Sequence, residues 1–160
     1  MKVVKMDYGE DAERIPGFLL WQVSKLWQRY LNVSLQPLGI SSTQAVILGN
    51  VVRLVGQGKK ATQILLSEIT KVDPMTTSQA IRTLEKKKLV KRETSKEDKR
   101  AFTVLPTGKG FKVTEAALGS FIRAHLSFFK PVEGDLEDLT AILRKLVQSE
   151  EPDTRTCPHT

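Results

Sequence analysis

DPMTTSQAIRTLEKKKLVKRETSKEDKRAFTVLPTGKGFK, residues 73–112, is the stretch on which the reading of this chain depends. It opens with Asp73, whose carboxylate can accept from free backbone N–H groups, followed by Pro74, which loses nothing at a first helical position. Ala80, Ile81 and Leu84 then recur at helical spacing and predict a buried side. Met75, Thr76, Thr77, Gln79, Arg82 and Thr83 fall elsewhere on that helix and are expected to face out. After Leu89 the apolar period becomes two. Residues 89–93 and 101–105 are expected to pair as antiparallel strands around a polar tip, 94–100, that carries Asp98, Lys99 and Arg100. A new helix, capped by Thr107, follows.

Charge is concentrated in this part of the chain. Residues 58–112 hold 14 of the 25 Lys and Arg but only 6 of the 18 Asp and Glu, so they account for all of the net charge of +7. A lone run such as Lys86-Lys87-Lys88 also suits a solvated helix end, where cations complement the helix dipole. Confinement of the whole excess to one module favours contact with nucleic acid. Helix, basic ribbon and helix, in that order, read as a winged helix-turn-helix, which lays one helix in the major groove and a ribbon beside it.

The outward residue types suit that use. Gln can bond adenine bidentately, Arg can do the same with guanine, and Thr or Met can pack on a thymine methyl. A guanidinium on the ribbon tip, that of Arg100, can enter a narrow minor groove, whose negative potential attracts it. Asp98, two residues earlier, would be repelled by phosphate if it pointed outward, so its expected work is to orient an arginine or bind turn N–H groups.

Around this module the chain reads as helical. Residues 1–15 lack an apolar period and are expected to form a loose arm. From Pro16, Phe18, Trp21, Ser24, Trp27 or Gln28, Leu31 and Leu35 recur on one face of a long helix that stops at Pro37-Leu38-Gly39. Ser41 or Ser42 can cap a helix carrying Val46, Ile47, Val51, Leu54 and Val55, broken by Gly56 and Gly58. Thr62 can cap a short helix with Ile64, Leu65, Leu66 and Ile69. Beyond Thr107 a helix carries Phe111, Ala117, Leu118, Phe121, Ile122, Leu126 and Phe129 up to Pro131. Leu136, Leu139, Leu143 and Leu146 then follow a heptad spacing, widened by Ile142 and Val147. That is more apolar surface than a terminal helix needs for its own chain and implies packing against another subunit. Residues 149–160 form a polar tail.

Several classes are disfavoured. No apolar run reaches the ~18 residues that span a bilayer, and Lys2 and Lys5 precede no secretory segment, so a cytoplasmic protein without a membrane partner is expected. Cys157 is the single cysteine, and His125 and His159 are the two histidines; neither histidine has metal-ligand spacing, so no metal and no cofactor are expected. Gly108-Lys109-Gly110 lacks the rest of a phosphate loop. No nucleophile, acid–base pair or metal site can be assembled, and the chain does not read as an enzyme.

The order of elements from Pro16 to Gln148 resembles the MarR family of transcription regulators. Leu38-Gly39-Ile40-Ser41-Ser42-Thr43-Gln44 looks like the family's LGLT..Q segment. Leu66-Ser67-Glu68-Ile69-Thr70 and Asp73-Pro74-Met75-Thr76-Thr77-Ser78 are similar to its helix-turn-helix, and Asp98-Lys99-Arg100 matches its D-x-R wing motif. The chain departs from the family pattern at Lys71 and Lys88, where glycine is common, and in having no cysteine near the first helix, where peroxide-sensing members carry theirs. Leu105-Pro106-Thr107-Gly108-Lys109-Gly110 replaces the usual LTEKG.

The resemblance implies a mainly α fold in which a winged helix-turn-helix lobe, 59–106, joins a helical dimerisation region, 16–58 and 107–148. It implies a homodimer on double-stranded DNA at a pseudo-palindromic operator, released when a small aromatic or phenolic effector binds between the two regions. By resemblance Arg100 is the minor-groove arginine and Asp98 its orienting partner, while Thr76, Thr77 and Gln79 read bases. Thr76, Thr77, Gln79 and Arg100 with Arg82, Thr83 and Lys99 make the expected DNA-binding set, and Phe18, Trp21, Trp27 and Phe111 the candidate ligand-binding set, for which packing in the core or against a second subunit is the alternative and, for the two tryptophans, the preferred reading. A repressor is the leading reading. A winged-helix protein-interaction module and a non-specific architectural DNA-binding protein are the alternatives; salt dependence and sequence preference separate all three.

Overall fold

Local hydrogen bonds set most helix starts in the computed structural model, which describes residues 15–94 and 102–149. The first helix, α1 (Pro16–Leu35), begins on a proline without a side-chain cap and ends in a 3-10 turn, Gln36–Leu38, closed by Gly39 at φ 64°. Ser41 opens α2 (Ser42–Gly56) with a capping box: its hydroxyl accepts from Gln44 N at 3.2 Å, and the Gln44 side chain accepts from Ser41 N at 3.4 Å. Thr62 caps α3 (Gln63–Thr70) through Leu65 N, and Asp73 caps α4 (Pro74–Lys86) through Thr76 N at 2.9 Å. Thr107 accepts from Gly110 N at 3.0 Å and so starts α5 (Gly108–Phe129). A 3-10 stretch, Lys130–Asp135, leads to α6 (Leu136–Gln148).

Between α4 and α5 lie the two antiparallel strands, β1 (Val90–Thr94) and β2 (Phe102–Pro106), registered with Val90 opposite Pro106 and Thr94 opposite Phe102. Both are displaced by one residue from the sequence expectation, because Leu89 closes the turn after α4 instead of entering the ribbon. Its N–H reaches Leu84 O at 2.9 Å, and its carbonyl accepts from Thr107 N at 3.0 Å. Val104 N donates to Ala61 O at 2.8 Å, and Thr62 bridges to Thr103, which ties the ribbon to the start of α3.

The chain divides into two compact units, Met1–His125 and Leu126–Thr160. In the first, α2 packs on α1, α3, α4 and β2, and its Ile47, Leu48, Val51 and Leu54 lie at the centre of the core. Leu31 and Leu35, Leu66, Ile81 and Leu84, and Val90 with Val104 close around them. This is a mainly helical winged helix-turn-helix, as the sequence predicts. The expected arm lies outside the described residues except for Ile15, and the tail except for Ser149. The same holds for Asp98, Lys99 and Arg100 of the wing tip, and for Cys157 and His159.

Two apolar stripes do not go where their periodicity pointed. In α1 only Leu31 and Leu35 are buried; Trp27 is half-buried, and Phe18 and Trp21 are exposed. In α5 the buried side consists of Gly110, Ala117, Ser120 and Ala124, while Phe111, Leu118, Phe121 and Ile122 are exposed. Close approach explains the second case: a Cβ on Gly110 would collide with the Leu89 carbonyl oxygen, so the helix start is pressed against backbone. In the second unit α6 has no buried residue, and its Ile142, Leu146 and Val147 are exposed. Among the described residues no single helix is long and apolar enough to cross a membrane.

Candidate nucleic-acid interface

The α3–α4 turn is built from hydroxyls rather than glycine. Lys71 ends α3 in the left-handed region at φ 55°. The next carbonyl, Val72 O, accepts from Ser67 Oγ at 2.6 Å and Thr77 Oγ1 at 3.2 Å, one hydroxyl from each helix. Gln63 Nε2 adds a bond to Pro74 O at 3.3 Å. The turn is thus held by side chains reaching across it, and these offset the cost of a lysine in a left-handed conformation.

Contrary to the outward position expected from the sequence, Thr77 is fully buried, with its hydroxyl spent on Val72 O. Thr76, Gln79 and Arg82 are exposed, and Met75 is 84% exposed. Thr83 is half-buried and donates to Gln79 O at 2.9 Å, which leaves its methyl as the freer surface. The outward face of α4 thus offers a carboxamide, a guanidinium and short apolar groups. At the helix start, hydrogen bonds from Thr76 to the Asp73 carboxylate hold its pKa below the ordinary 3.8. The cap is therefore charged at neutral pH and complements the helix dipole.

The far end of α4 is joined to the ribbon. Glu85 Oε2 lies 2.6 Å from Arg92 Nη2, and that hydrogen bond, with the attached charge, lowers the Glu85 pKa from its ordinary 4.5. Arg92 also stands 5.3 Å over the Phe102 ring, so one guanidinium links the helix to both strands. Lys86, Lys88, Lys91, Lys109 and Lys112 are exposed around this junction, while Lys87 is half-buried and points inward. The expected wing contacts Lys99 and Arg100, with Asp98, fall outside the described residues.

A second feature is a cavity of about 290 Å³ between α1, α2 and α5, within the first unit. Leu31, Leu35, Ala45, Val46, Gly49, Ala117 and Phe121 give it apolar walls, and Arg53 and Asn50 give it a polar edge. Asn50 Oδ1 accepts from Arg53 Nε at 3.2 Å and Nη2 at 2.9 Å, and Asn50 Nδ2 donates to Val46 O. None of Phe18, Trp21, Trp27 and Phe111, the expected ligand-binding set, lines it. Phe18 stacks on Trp21 at 6.1 Å, and Trp27 meets the Phe121 ring edge-on at 5.4 Å, one ring away from the space. Large rings fill volume, and the small residues Ala45, Gly49 and Ala117 are among those that line the space. Arg53 and Asn50 stand three apart on one helix face, a spacing visible in the sequence.

Comparison with known proteins agrees with this geometry. A family model described as MarR family matches residues 38–101. The uncharacterized HTH-type transcriptional regulator YdcH of Bacillus subtilis is 32% identical over 114 residues, which cover 71% of this chain and 78% of the relative. Among solved structures, a mutant MarR from E. coli complexed with operator DNA superposes with a TM-score of 0.73 at 25% identity, covering 86% of this chain and 97% of that one. CouR from Rhodococcus jostii RHA1 bound to p-coumaroyl-CoA gives a TM-score of 0.73 at 20% identity, over 89% of this chain and 98% of that one.

Proposed function

This chain belongs to the MarR family of transcriptional regulators, and on that premise we propose that it is a repressor acting as a homodimer on a pseudo-palindromic operator. The observation that carries the reading is the α4 surface. A rigidly capped helix exposes Thr76, Gln79 and Arg82 beside a ribbon whose segment holds all of the excess positive charge. Base choice belongs to those side chains, with Met75 and the Thr83 methyl beside them, and orientation on the duplex belongs to the surrounding lysines. Arg100 enters the minor groove, with Lys99 beside it and Asp98 orienting it. The operator-bound E. coli relative supports the DNA partner.

Dimerisation is the work of the helical region, 16–58 and 107–148, and DNA contact that of 59–106. A single chain leaves Leu19, Leu20, Leu26 and Tyr30 of α1 exposed together with Leu118 and Ile122 of α5. Apolar surface on this scale marks an interaction site, and an identical subunit is the partner that brings two recognition helices to one operator. The protein acts in the cytoplasm, where its DNA lies.

The cavity takes a small aromatic or phenolic anion whose ring meets the apolar walls and whose charge meets Arg53. Occupancy releases DNA to the extent that the ligand prefers the non-binding shape. CouR, which shares the fold and is bound to p-coumaroyl-CoA, supports the reading that such a fold can hold a ligand. Sedimentation equilibrium tests the assembly: two chains are expected in free protein at micromolar concentration and two per duplex in the complex. A monomer in both would overturn it.

A further inference from the structure

We propose that Lys87 is a positioning residue for the recognition helix and not one of the phosphate-contacting lysines. This rests on the reading of α4 as the base-reading element. In the run Lys86-Lys87-Lys88 the outer two side chains are exposed, and the middle one reaches back into the protein. Its ammonium donates to Gly39 O at 2.5 Å and to Gln44 Oε1 at 3.0 Å, partners 48 and 43 residues away in sequence.

Both acceptors belong to the corner between α1 and α2, which is itself fixed. Gly39 is left-handed, so its carbonyl direction is set by the turn. Gln44 is held by the Ser41 capping box, and the adjoining Ser42 N donates to Asn32 Oδ1 of α1 at 2.7 Å. Lys87 is also the C-cap of α4. Its ammonium therefore fastens the end of the recognition helix to the corner, as Glu85 fastens it to the wing through Arg92. These two ties, to different elements, hold the C-terminal end of α4, while the bonds of Gln63 to Pro74 O and of Thr77 to Val72 O hold its start, and together they set where Thr76, Gln79 and Arg82 stand along a groove. Because Ser42 and Ala45, on the same first turn of α2 as Gln44, line the cavity, the tie also runs from the cavity wall to the DNA-reading helix.

A phosphate contact and a positioning tie leave different signatures. Losing one phosphate contact lowers the slope of log K against log salt by ~0.9 and weakens specific and non-specific binding alike. Losing the tie lowers only specific affinity. The experiment uses full-length Lys87→Met, and Lys87→Met combined with Gln44→Met, each shown folded by circular dichroism. Duplexes are the wild-type selected sequence and a scrambled one, at several salt concentrations and well below the melting temperature.

The expected result is a specific-to-scrambled affinity ratio reduced about tenfold, the scale of one charge-assisted hydrogen bond, with the salt slope unchanged. Gln44→Met added to Lys87→Met should reduce the ratio no further. A slope lowered by ~0.9 on both duplexes would make Lys87 a phosphate contact and overturn the assignment. An unchanged ratio would overturn it as well, since a tie that only stabilises the fold alters melting and not base choice. If wild-type protein enriches no sequence at all, the base-reading role of α4 fails first and the assignment fails with it.

Discussion

Glu85 Oε2 on the last turn of α4 lies 2.6 Å from Arg92 Nη2 on β1, so the recognition helix and the wing share a charge-assisted hydrogen bond. The Glu85 carboxyl titrates below its ordinary 4.5 in consequence, chiefly through that hydrogen bond. A carboxyl with a lowered folded pKa binds its proton more tightly in the unfolded chain. Its contribution is therefore present above about pH 4.5 and lost as the pH falls through the lower, folded value. Because both side chains are partly exposed, the stabilisation is about 0.5 kcal/mol. Glu85→Gln should lower the urea-unfolding free energy by that amount at pH 7 and by less near pH 3. An equal deficit at both pH values would contradict the role of the charge. Asp73, shifted the same way, preserves part of the acid dependence in the variant.

Lys88 should be the easiest position at which to stabilise the protein. The chain leaves α4 through bonds from Lys88 N to Glu85 O at 2.8 Å and from Leu89 N to Leu84 O at 2.9 Å, with Lys88 left-handed at φ 60°. The end of α2 has the same pattern, Gly58 N to Val55 O and Lys59 N to Leu54 O, but there the left-handed residue is glycine. Lys88→Gly relieves a left-handed side chain and gives back part of the gain in unfolded-chain entropy, for a net increase of roughly 0.5–1 kcal/mol. Thermal unfolding measures it; a lower melting temperature would contradict the strain argument.

Gln79→Ala should change the base preferred at one position of each half-site, whereas Thr77→Val should not. Gln79 is exposed on α4, and Thr77 is buried with its hydroxyl on Val72 O. Loss of a bidentate base contact costs about 1–3 kcal/mol of discrimination. Thr77→Val instead removes a buried hydrogen bond and should lower stability by about 1 kcal/mol. Competition binding against single-base variants reads the first effect, and denaturant unfolding reads the second. A shift of consensus in Thr77→Val would place that side chain on the DNA and contradict its inward role.

Arg53 should make the cavity prefer anions. Benzoate and benzamide have the same ring and nearly the same shape, so a difference in their affinity, followed by tryptophan fluorescence, reports the guanidinium. Wild-type protein should bind benzoate about tenfold more tightly, the scale of one charge-assisted hydrogen bond, and Arg53→Gln should bind the two equally. Equal affinities in wild type would remove the anionic preference.

The caps were legible in the sequence because each is a bond over three residues: Ser41 to Gln44, Thr62 to Leu65, Asp73 to Thr76 and Thr107 to Gly110. What escaped the sequence depends on distant partners. Thr77 lies at a position that periodicity leaves open, and the Val72 carbonyl decides its direction. The exposure of Phe111 and the burial of Gly110 follow from how closely α5 approaches Leu89, which hydropathy does not record. Aromatic content pointed to Phe18, Trp21, Trp27 and Phe111 for a ligand, while the cavity between α1, α2 and α5 is lined by none of the four. Lys87 reads as one of three equal cations until its two acceptors, more than forty residues away, set it apart.

Selection of bound sequences from a random duplex pool by the purified full-length protein, at two salt concentrations, decides whether the α4 surface reads DNA sequence. A dimeric sequence-specific regulator should enrich a near-palindrome at both salts, with half-sites about one helical turn, ~10 bp, apart. Retention of duplex at low salt without enrichment, and loss of all binding at high salt, would contradict it.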